Sequence, residues 1–250
     1  MARDKRRADQ LVVERGLADS RSRAQALIMA GAVYAGTRRV AKAGEQLSTD
    51  AELSLKGRDH PWVSRGGLKL APALDRFGID PAGAVALDLG ASTGGFTDVL
   101  LQRGAARVYA VDVGHGQLAW KLRQDERVVL LERTNARHLT GAHVPEPVDL
   151  VVSDASFISI LSILPPALAL ALAAPGARLI ALIKPQFEVG RERVGKGGVV
   201  RDPALHAEAC DKVRAWLAAQ PGWSVLGVEE SPVTGPEGNR EFLLVGVRAP

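Results

Sequence analysis

The sequence predicts two domains, a small α+β head and a larger α/β body organised on a parallel sheet. Three observations carry this. Charge divides the chain: residues 1–58 hold 12 Lys and Arg against 7 Asp and Glu, and the remainder holds 20 against 21. From residue 66 onward, apolar runs of strand length alternate with helix-like stretches, the order that gives a parallel sheet covered on both faces. A glycine-rich turn, Gly90-Ala-Ser-Thr-Gly94-Gly95, directly follows the first of those runs.

In the head, a short helix pattern ends near Gly16, and a second follows with Ser20 or Ser22 as N-cap and Gly31 as its stop. Ala24, Leu27 and Ile28 supply its apolar stripe. "AVYAGTRRV" reads as strand, glycine turn and returning strand, and "GEQLSTDAELSL" as a further β segment. The order "RADQLVVERGLADSRSRAQALIMAG", then "VYAG", then "KAGEQL" resembles the S4 RNA-binding domain over most of residues 6–56. That resemblance implies a basic face for structured RNA. Arg6, Arg7, Arg21, Arg23, Arg38, Arg39 and Lys42, with Arg65 beyond the head, are the candidates for phosphate contacts.

"KGRDHPWVSRGGLKL" joins the parts, with a linker expected over 59–65 and Trp62 placed to dock it onto the body. In the body, strands are expected near 84–89, 107–112, 127–131, 148–153, 178–184, 223–230 and 241–247. Helices are expected near 67–77, 95–103, 116–123, 159–173 and 203–219. Ligands of such sheets sit beyond the carboxyl ends of the strands.

Composition removes several classes. An apolar content of 46% supports a core, and the single Cys210 rules out an intramolecular disulfide and a zinc cluster and suits a reducing compartment such as the cytoplasm. The opening "MARDKRRADQ" has charge but no apolar stretch, so no secretory signal is expected. The run from Ile158 to Ile180 is broken by Pro165-Pro166, Pro175-Gly176 and Arg178, which argues against a membrane span. The five histidines are scattered, so no metal is expected.

The turn at 90–95 has neither the G-x-G-x-x-G spacing of a dinucleotide site nor the Gly-Lys-Ser/Thr of a Walker loop. What it has is Asp88, two residues ahead of its first glycine, and a carboxylate suits a cationic or amine-bearing ligand. Asp112 ends the next strand 24 residues on, where a carboxylate can accept from ribose hydroxyls. The pair points to S-adenosylmethionine (SAM). The expected cofactor set is Asp88, Gly90, Ser92, Thr93, Gly94, Gly95, Phe96, Asp112, Val113, Asn135, Ala136 and Asp154. Asn135 and Ala136 are placed near the adenine edge, since Asn both donates and accepts.

Four polar residues fall at strand ends or on the first body helix: Lys69, Asp154, Lys184 and Glu241. They resemble the Lys-Asp-Lys-Glu tetrad of FtsJ-type ribose 2′-O-methyltransferases. With the S4-like head, and with "WVSRGGLKL", "DLGASTGGFTDVLLQRGA", "SDASFISI", "IKPQFE" and "GNREF", nearly the whole chain resembles the TlyA family, hemolysin-A-like rRNA methyltransferases. The resemblance implies a Rossmann-like SAM-dependent methyltransferase fold over 66–250 after an S4 domain over 1–58. It also implies methylation of cytidine 2′-hydroxyls in rRNA of the small and large ribosomal subunits. Asn135 departs from FtsJ-like relatives, where an aspartate often meets the adenine.

A ribose hydroxyl is a poor nucleophile until its proton has somewhere to go. The expectation is that Lys184 takes that proton, that Lys69 and Asp154 steer the hydroxyl and the lysine, and that Glu241 orients Lys69 or the ribose. "FEVGRERVGKGGVVRDP" is glycine-rich and charged, in the manner of lids. Rival readings are a membrane-active hemolysin, a decayed RNA-binding module, and a SAM enzyme acting on a small molecule or protein.

Overall fold

The computed structural model describes residues 5–18, 20–55, 60–171, 174–235 and 237–249. The chain divides into two compact units, residues 1–61 and 62–250.

The first unit runs β1 (Lys5–Arg7), α1 (Ala8–Glu14), α2 (Arg21–Met29), β2 (Val33–Ala35), β3 (Arg38–Arg39), β4 (Gln46–Ser48) and β5 (Leu53–Leu55). β1 pairs antiparallel with β4, and β3-β2-β5 form a second antiparallel sheet. Helices of 7 and 9 residues are too short to be stable alone, so packing holds them. Of the two serines proposed to cap α2, Ser20 does so, its Oγ accepting the Arg23 N–H at 3.2 Å. Ala24 and Ile28 from α2 are buried against Leu11, Val12, Val33, Val40 and Leu47. Asp9 is fully buried, and its carboxylate receives Arg7, Arg21 and Gln25 at 2.9–3.0 Å.

The second unit runs α3 (Gly67–Arg76), β6 (Val85–Leu89), α4 (Gly95–Gln102), β7 (Arg107–Val111), α5 (Trp120–Arg123), β8 (Val128–Leu131), β9 (Leu150–Ser153), α6 (Leu164–Ala171), β10 (Arg178–Ile183), α7 (Pro185–Glu188), α8 (Pro203–Ala218), β11 (Trp223–Glu230) and β12 (Phe242–Arg248). One seven-stranded sheet has the order β11-β12-β10-β9-β6-β7-β8. Its central strands read as continuous apolar runs because both faces are covered. Leu87, Leu89, Leu179, Ala181 and Ile183 point into one core cluster; Ala86, Ile180 and Leu182 point into the other.

Three expectations are corrected. The sheet is not wholly parallel: β12 runs antiparallel to both β10 and β11. The helix expected at 116–123 forms only over α5. Its first turn is lost because Gly116 takes a left-handed backbone (φ +72°) and the Ala119 N–H goes to the Thr93 carbonyl at 3.1 Å. The helix expected at 159–173 is a 3₁₀ turn over Ile160–Ser162 followed by α6, which accommodates Pro165 and Pro166 in its first turn where no N–H is needed; residues 172–173 lie outside the described set. Of the linker expected over 59–65, residue 59 lies outside the described set, and Val63 is buried in the second unit with its N–H on Asp98 Oδ2 at 2.7 Å.

Candidate active site

Register brings the four polar positions together. Leu89 pairs with Ser153 and Ser153 with Ala181, so β6, β9 and β10 end near one level at their carboxyl edge. Ile183 pairs with Phe242 across the antiparallel step, so Lys184, one residue beyond β10, lies beside Glu241, one residue before β12. Lys69, on the first turns of α3, reaches the same point.

The result is a chain of opposite charges. Lys69 Nζ lies 2.6 Å from Glu241 Oε2 and 3.2 Å from Asp154 Oδ2. The contact with Glu241 is an ion pair without hydrogen-bond angles, so that buried oxygen has no hydrogen-bond partner. Lys184 Nζ lies 2.7 Å from Asp154 Oδ1, 3.1 Å from the Asp154 carbonyl and 2.7 Å from Ser156 Oγ. Lys69, Lys184 and Glu241 are buried and Asp154 is partly open. Asp154 is thus the shared carboxylate between two ammonium groups, an arrangement that offsets the cost of burying each charge.

Beside it lies the glycine-rich turn. Its path requires left-handed backbone at Gly90 (φ +81°) and Gly94 (φ +96°). A Cβ at Gly90 would stand 2.8 Å from the Ala155 Cα; one at Gly94 would stand 2.3 Å from Leu122 Cδ1. Neither position admits a side chain. Phe96 is buried beneath the turn, and the Thr93 carbonyl accepts the Ala119 N–H at 3.1 Å.

Asp88 is fully buried. Its Oδ2 accepts both the N–H (3.0 Å) and the Oγ1 hydroxyl (2.7 Å) of Thr97 in the first turn of α4, while its Oδ1 is buried without a partner. Burial pushes this carboxyl up to about 7; the nearby Asp154 and Asp112 carboxylates add to that, and the Thr97 bonds oppose it. A cation placed at Oδ1 would relieve both the missing partner and the repulsion.

Asp112 holds the turn open: Oδ2 accepts the Ser92 N–H at 2.8 Å and Oδ1 the Gly114 N–H at 2.7 Å. Each oxygen keeps a further lone pair. Val113 beside it is 70% exposed, an apolar surface left in solvent. Asn135 caps the 3₁₀ turn Ala136–His138, its Oδ1 accepting the Arg137 N–H at 3.1 Å, and Ala136 is buried in the core.

The candidate RNA contacts fall into two groups. Arg6 pairs with Glu14, Arg38 with Glu45, and Arg7 and Arg21 with the buried Asp9. The Arg7 guanidinium, with Gln25 and Arg21, holds the Asp9 carboxyl well below the usual range despite its burial. Arg23, Arg39 and Lys42 are exposed on the first unit, and Arg65 is exposed on the second.

Three residues escaped the sequence reading. Thr97 is the partner of Asp88. Ser156 touches Lys184. Phe157 is 92% exposed with φ +67°, a conformation that a bulky residue adopts only when its surroundings impose it. An aromatic in the polar loop directly after Asp154 was the available signal. The glycine-rich loop after Lys184 is fastened at its far end: Asn239 donates to the Gly198 carbonyl at 2.9 Å and accepts the Val200 N–H at 3.0 Å. Among the described residues no helix is long and apolar enough to cross a membrane.

Comparison with known proteins agrees with this anatomy. The S4 domain family matches residues 6–53, and the FtsJ-like methyltransferase family matches residues 62–248. The chain is 51% identical over 239 residues to the "16S/23S rRNA (cytidine-2'-O)-methyltransferase TlyA" of Mycobacterium tuberculosis, covering 95% of this chain and 88% of that protein. It is 38% identical to "Hemolysin A" of Brachyspira hyodysenteriae, covering 95% and 98% of the two chains. A solved structure from Streptococcus thermophilus, under a provisional hemolysin name, superposes with TM-score 0.74 at 43% identity and covers 99% of this chain and 90% of that one. The chain belongs to the TlyA family of methyltransferases, an S4 domain followed by an FtsJ-like methyltransferase domain.

Proposed function

We propose that this protein transfers a methyl group from SAM to the 2′-hydroxyl of cytidine in 16S and 23S rRNA within ribosomal subunits, in the cytoplasm. The observation that carries the proposal is the shared carboxylate Asp154, which holds Lys69 and Lys184 at one point beside the carboxylate-led glycine turn. Relatives named as 16S/23S rRNA (cytidine-2'-O)-methyltransferases support the substrate.

The residues of the turn fit the cofactor. Asp88 Oδ1 is a buried carboxyl oxygen without a partner, suited to a cationic group. Asp112 has lone pairs for a ribose and Val113 an apolar face for a base. SAM, when bound, supplies an electrophilic methyl on sulfur. The chain's own residues then have three tasks.

Lys184 takes the proton of the 2′-hydroxyl as the oxygen–carbon bond forms and the carbon–sulfur bond breaks. Asp154 fixes Lys184 Nζ, Lys69 directs the hydroxyl, and Glu241 fixes Lys69. Holding oxygen, methyl and sulfur in line contributes much of the rate. Phe157, held out in solvent, offers a stacking surface to a base displaced from its helix. Arg23, Arg39, Lys42 and Arg65, with the outer faces of Arg6, Arg7, Arg21 and Arg38, meet phosphates.

Labelled-methyl transfer from SAM to purified ribosomal subunits, followed by mapping of alkali-resistant linkages, tests the reading. Label is expected on cytidine ribose in both subunits. Lys184→Ala is expected to abolish transfer while SAM binding persists. Methyl on a base atom, or near-normal turnover by Lys184→Ala, overturns the assignment.

A further inference from the structure

The three contacts of Lys184 are not equivalent, and the difference assigns a task to a residue outside the tetrad. An ammonium has three N–H donors, and Lys184 Nζ has three acceptors within reach: Asp154 Oδ1 at 2.7 Å, the Asp154 carbonyl at 3.1 Å and Ser156 Oγ at 2.7 Å. After loss of a proton the nitrogen keeps two donors and gains a lone pair. The carboxylate oxygen and the carbonyl can only accept. The two remaining donors suit the two near acceptors, Asp154 Oδ1 and Ser156 Oγ, and the lone pair is left for the hydroxyl whose proton Lys184 takes.

We infer that Ser156 is a positioning residue for methyl transfer, holding the Lys184 amine before the 2′-hydroxyl proton arrives and binding the ammonium more strongly afterward. The inference rests on the reading of Lys184 as proton acceptor given above. The proton passes from the 2′-oxygen to the lone pair of Lys184 Nζ as the oxygen–carbon bond forms and the carbon–sulfur bond breaks, while the Ser156 oxygen accepts an Nζ N–H before and after, exchanging no proton of its own. A hydrogen bond to a charged group is about twice as strong as one between neutral groups. The Ser156 contact therefore strengthens as charge develops on Nζ, which is the condition for accelerating the step rather than merely binding its reactants.

The surroundings of Lys184 leave this role open. Asp154 faces it from the end of β9, and Lys69 on α3 and Glu241 at the start of β12 face it through Asp154. Asp88, from β6, is a further carboxyl near enough to Asp154 for the two to repel. Glu188 on α7, the helix that follows Lys184, is turned away to the Ser159 hydroxyl, the Ile160 N–H and Lys212. Ser156 is exposed and Lys184 buried, so the hydroxyl is the contact of Nζ nearest solvent.

The test is the rate of methyl transfer to ribosomal subunits against pH for the full chain with Ser156→Ala and Ser156→Thr, alongside SAM affinity. Ser156→Ala is expected to lower the plateau rate roughly 10- to 100-fold, the worth of a hydrogen bond to a charged group. It is also expected to move the acid limb of the profile to lower pH, because the ammonium loses an acceptor. SAM affinity is expected to stay within about twofold, and Ser156→Thr, which keeps the hydroxyl, is expected to restore both rate and profile. A wild-type rate and profile in Ser156→Ala, or a loss that Ser156→Thr does not restore, overturns the inference. A loss of SAM affinity equal to the loss of rate also overturns it, since the defect would then lie in the fold of the turn. A wild-type chain that methylates no ribose overturns the underlying reading, an outcome distinct from an active wild type with an indifferent Ser156.

Discussion

Replacing Asp88 by asparagine removes one charge and almost no volume, and it separates what that carboxylate costs the fold from what it does for the site. In the folded chain Asp88 ionises near about 7 against 3.8 for the free side chain. Its folded value is raised, so its contribution to stability is greatest below the unfolded value and is lost as pH rises through about 7. The full gap corresponds to about 4 kcal/mol at pH 8, taken as an upper bound. Asparagine keeps one oxygen for the two Thr97 donors but puts an amide where Oδ1 lacks a partner, which costs about 1–3 kcal/mol.

The cofactor-free variant is therefore expected to be more stable than wild type at pH 8 by about 1–3 kcal/mol, a rise in Tm of roughly 2–8 °C. At pH 5 the wild-type carboxyl is already neutral and the advantage is expected to vanish. SAM affinity at pH 8 is expected to fall roughly 10- to 100-fold, because a charge-assisted contact is lost. Urea unfolding of both proteins at the two pH values, with calorimetry of SAM binding at pH 8, supplies all the quantities. A variant destabilised equally at both pH values, or one that binds SAM as wild type does, would refute the reasoning.

Two further outcomes follow from the same geometry. Gly94→Ala combines a left-handed backbone with a Cβ only 2.3 Å from Leu122 Cδ1, so a loss of about 2 kcal/mol or more is expected in unfolding experiments together with weaker SAM binding. Asp9→Asn strips the charge that Arg7 and Arg21 share in the first unit. Asp9 ionises below its unfolded value, so its stabilisation is present above about pH 4 and lost as pH falls. The variant is expected to lower the stability of that unit by about 3 kcal/mol at pH 7 and to reduce rRNA affinity in filter binding, with little effect on SAM binding.

The alternation of strands with helices and the two-part organisation were legible in the amino-acid sequence, and the four polar positions were singled out there through their resemblance to a known tetrad. Each depends on local pattern: apolar runs of strand length, a basic head, a glycine turn that leaves no room for side chains, and charged residues at the rims of apolar runs. What needed the tertiary structure was pairing. Glu241 opens a strand and Lys184 closes one, and in a wholly parallel sheet those positions would lie at opposite edges. Insertion of β12 antiparallel beside β10 brings them together, and no local signal encodes that direction. The same holds for Asp88, whose choice of Thr97 for one oxygen and nothing for the other depends on how α4 docks over β6. Ser156 was silent for a related reason, and Phe157 was marked only by being an aromatic in a polar loop. Their importance lies in where an irregular loop aims them, and an irregular loop has no periodicity from which to read direction.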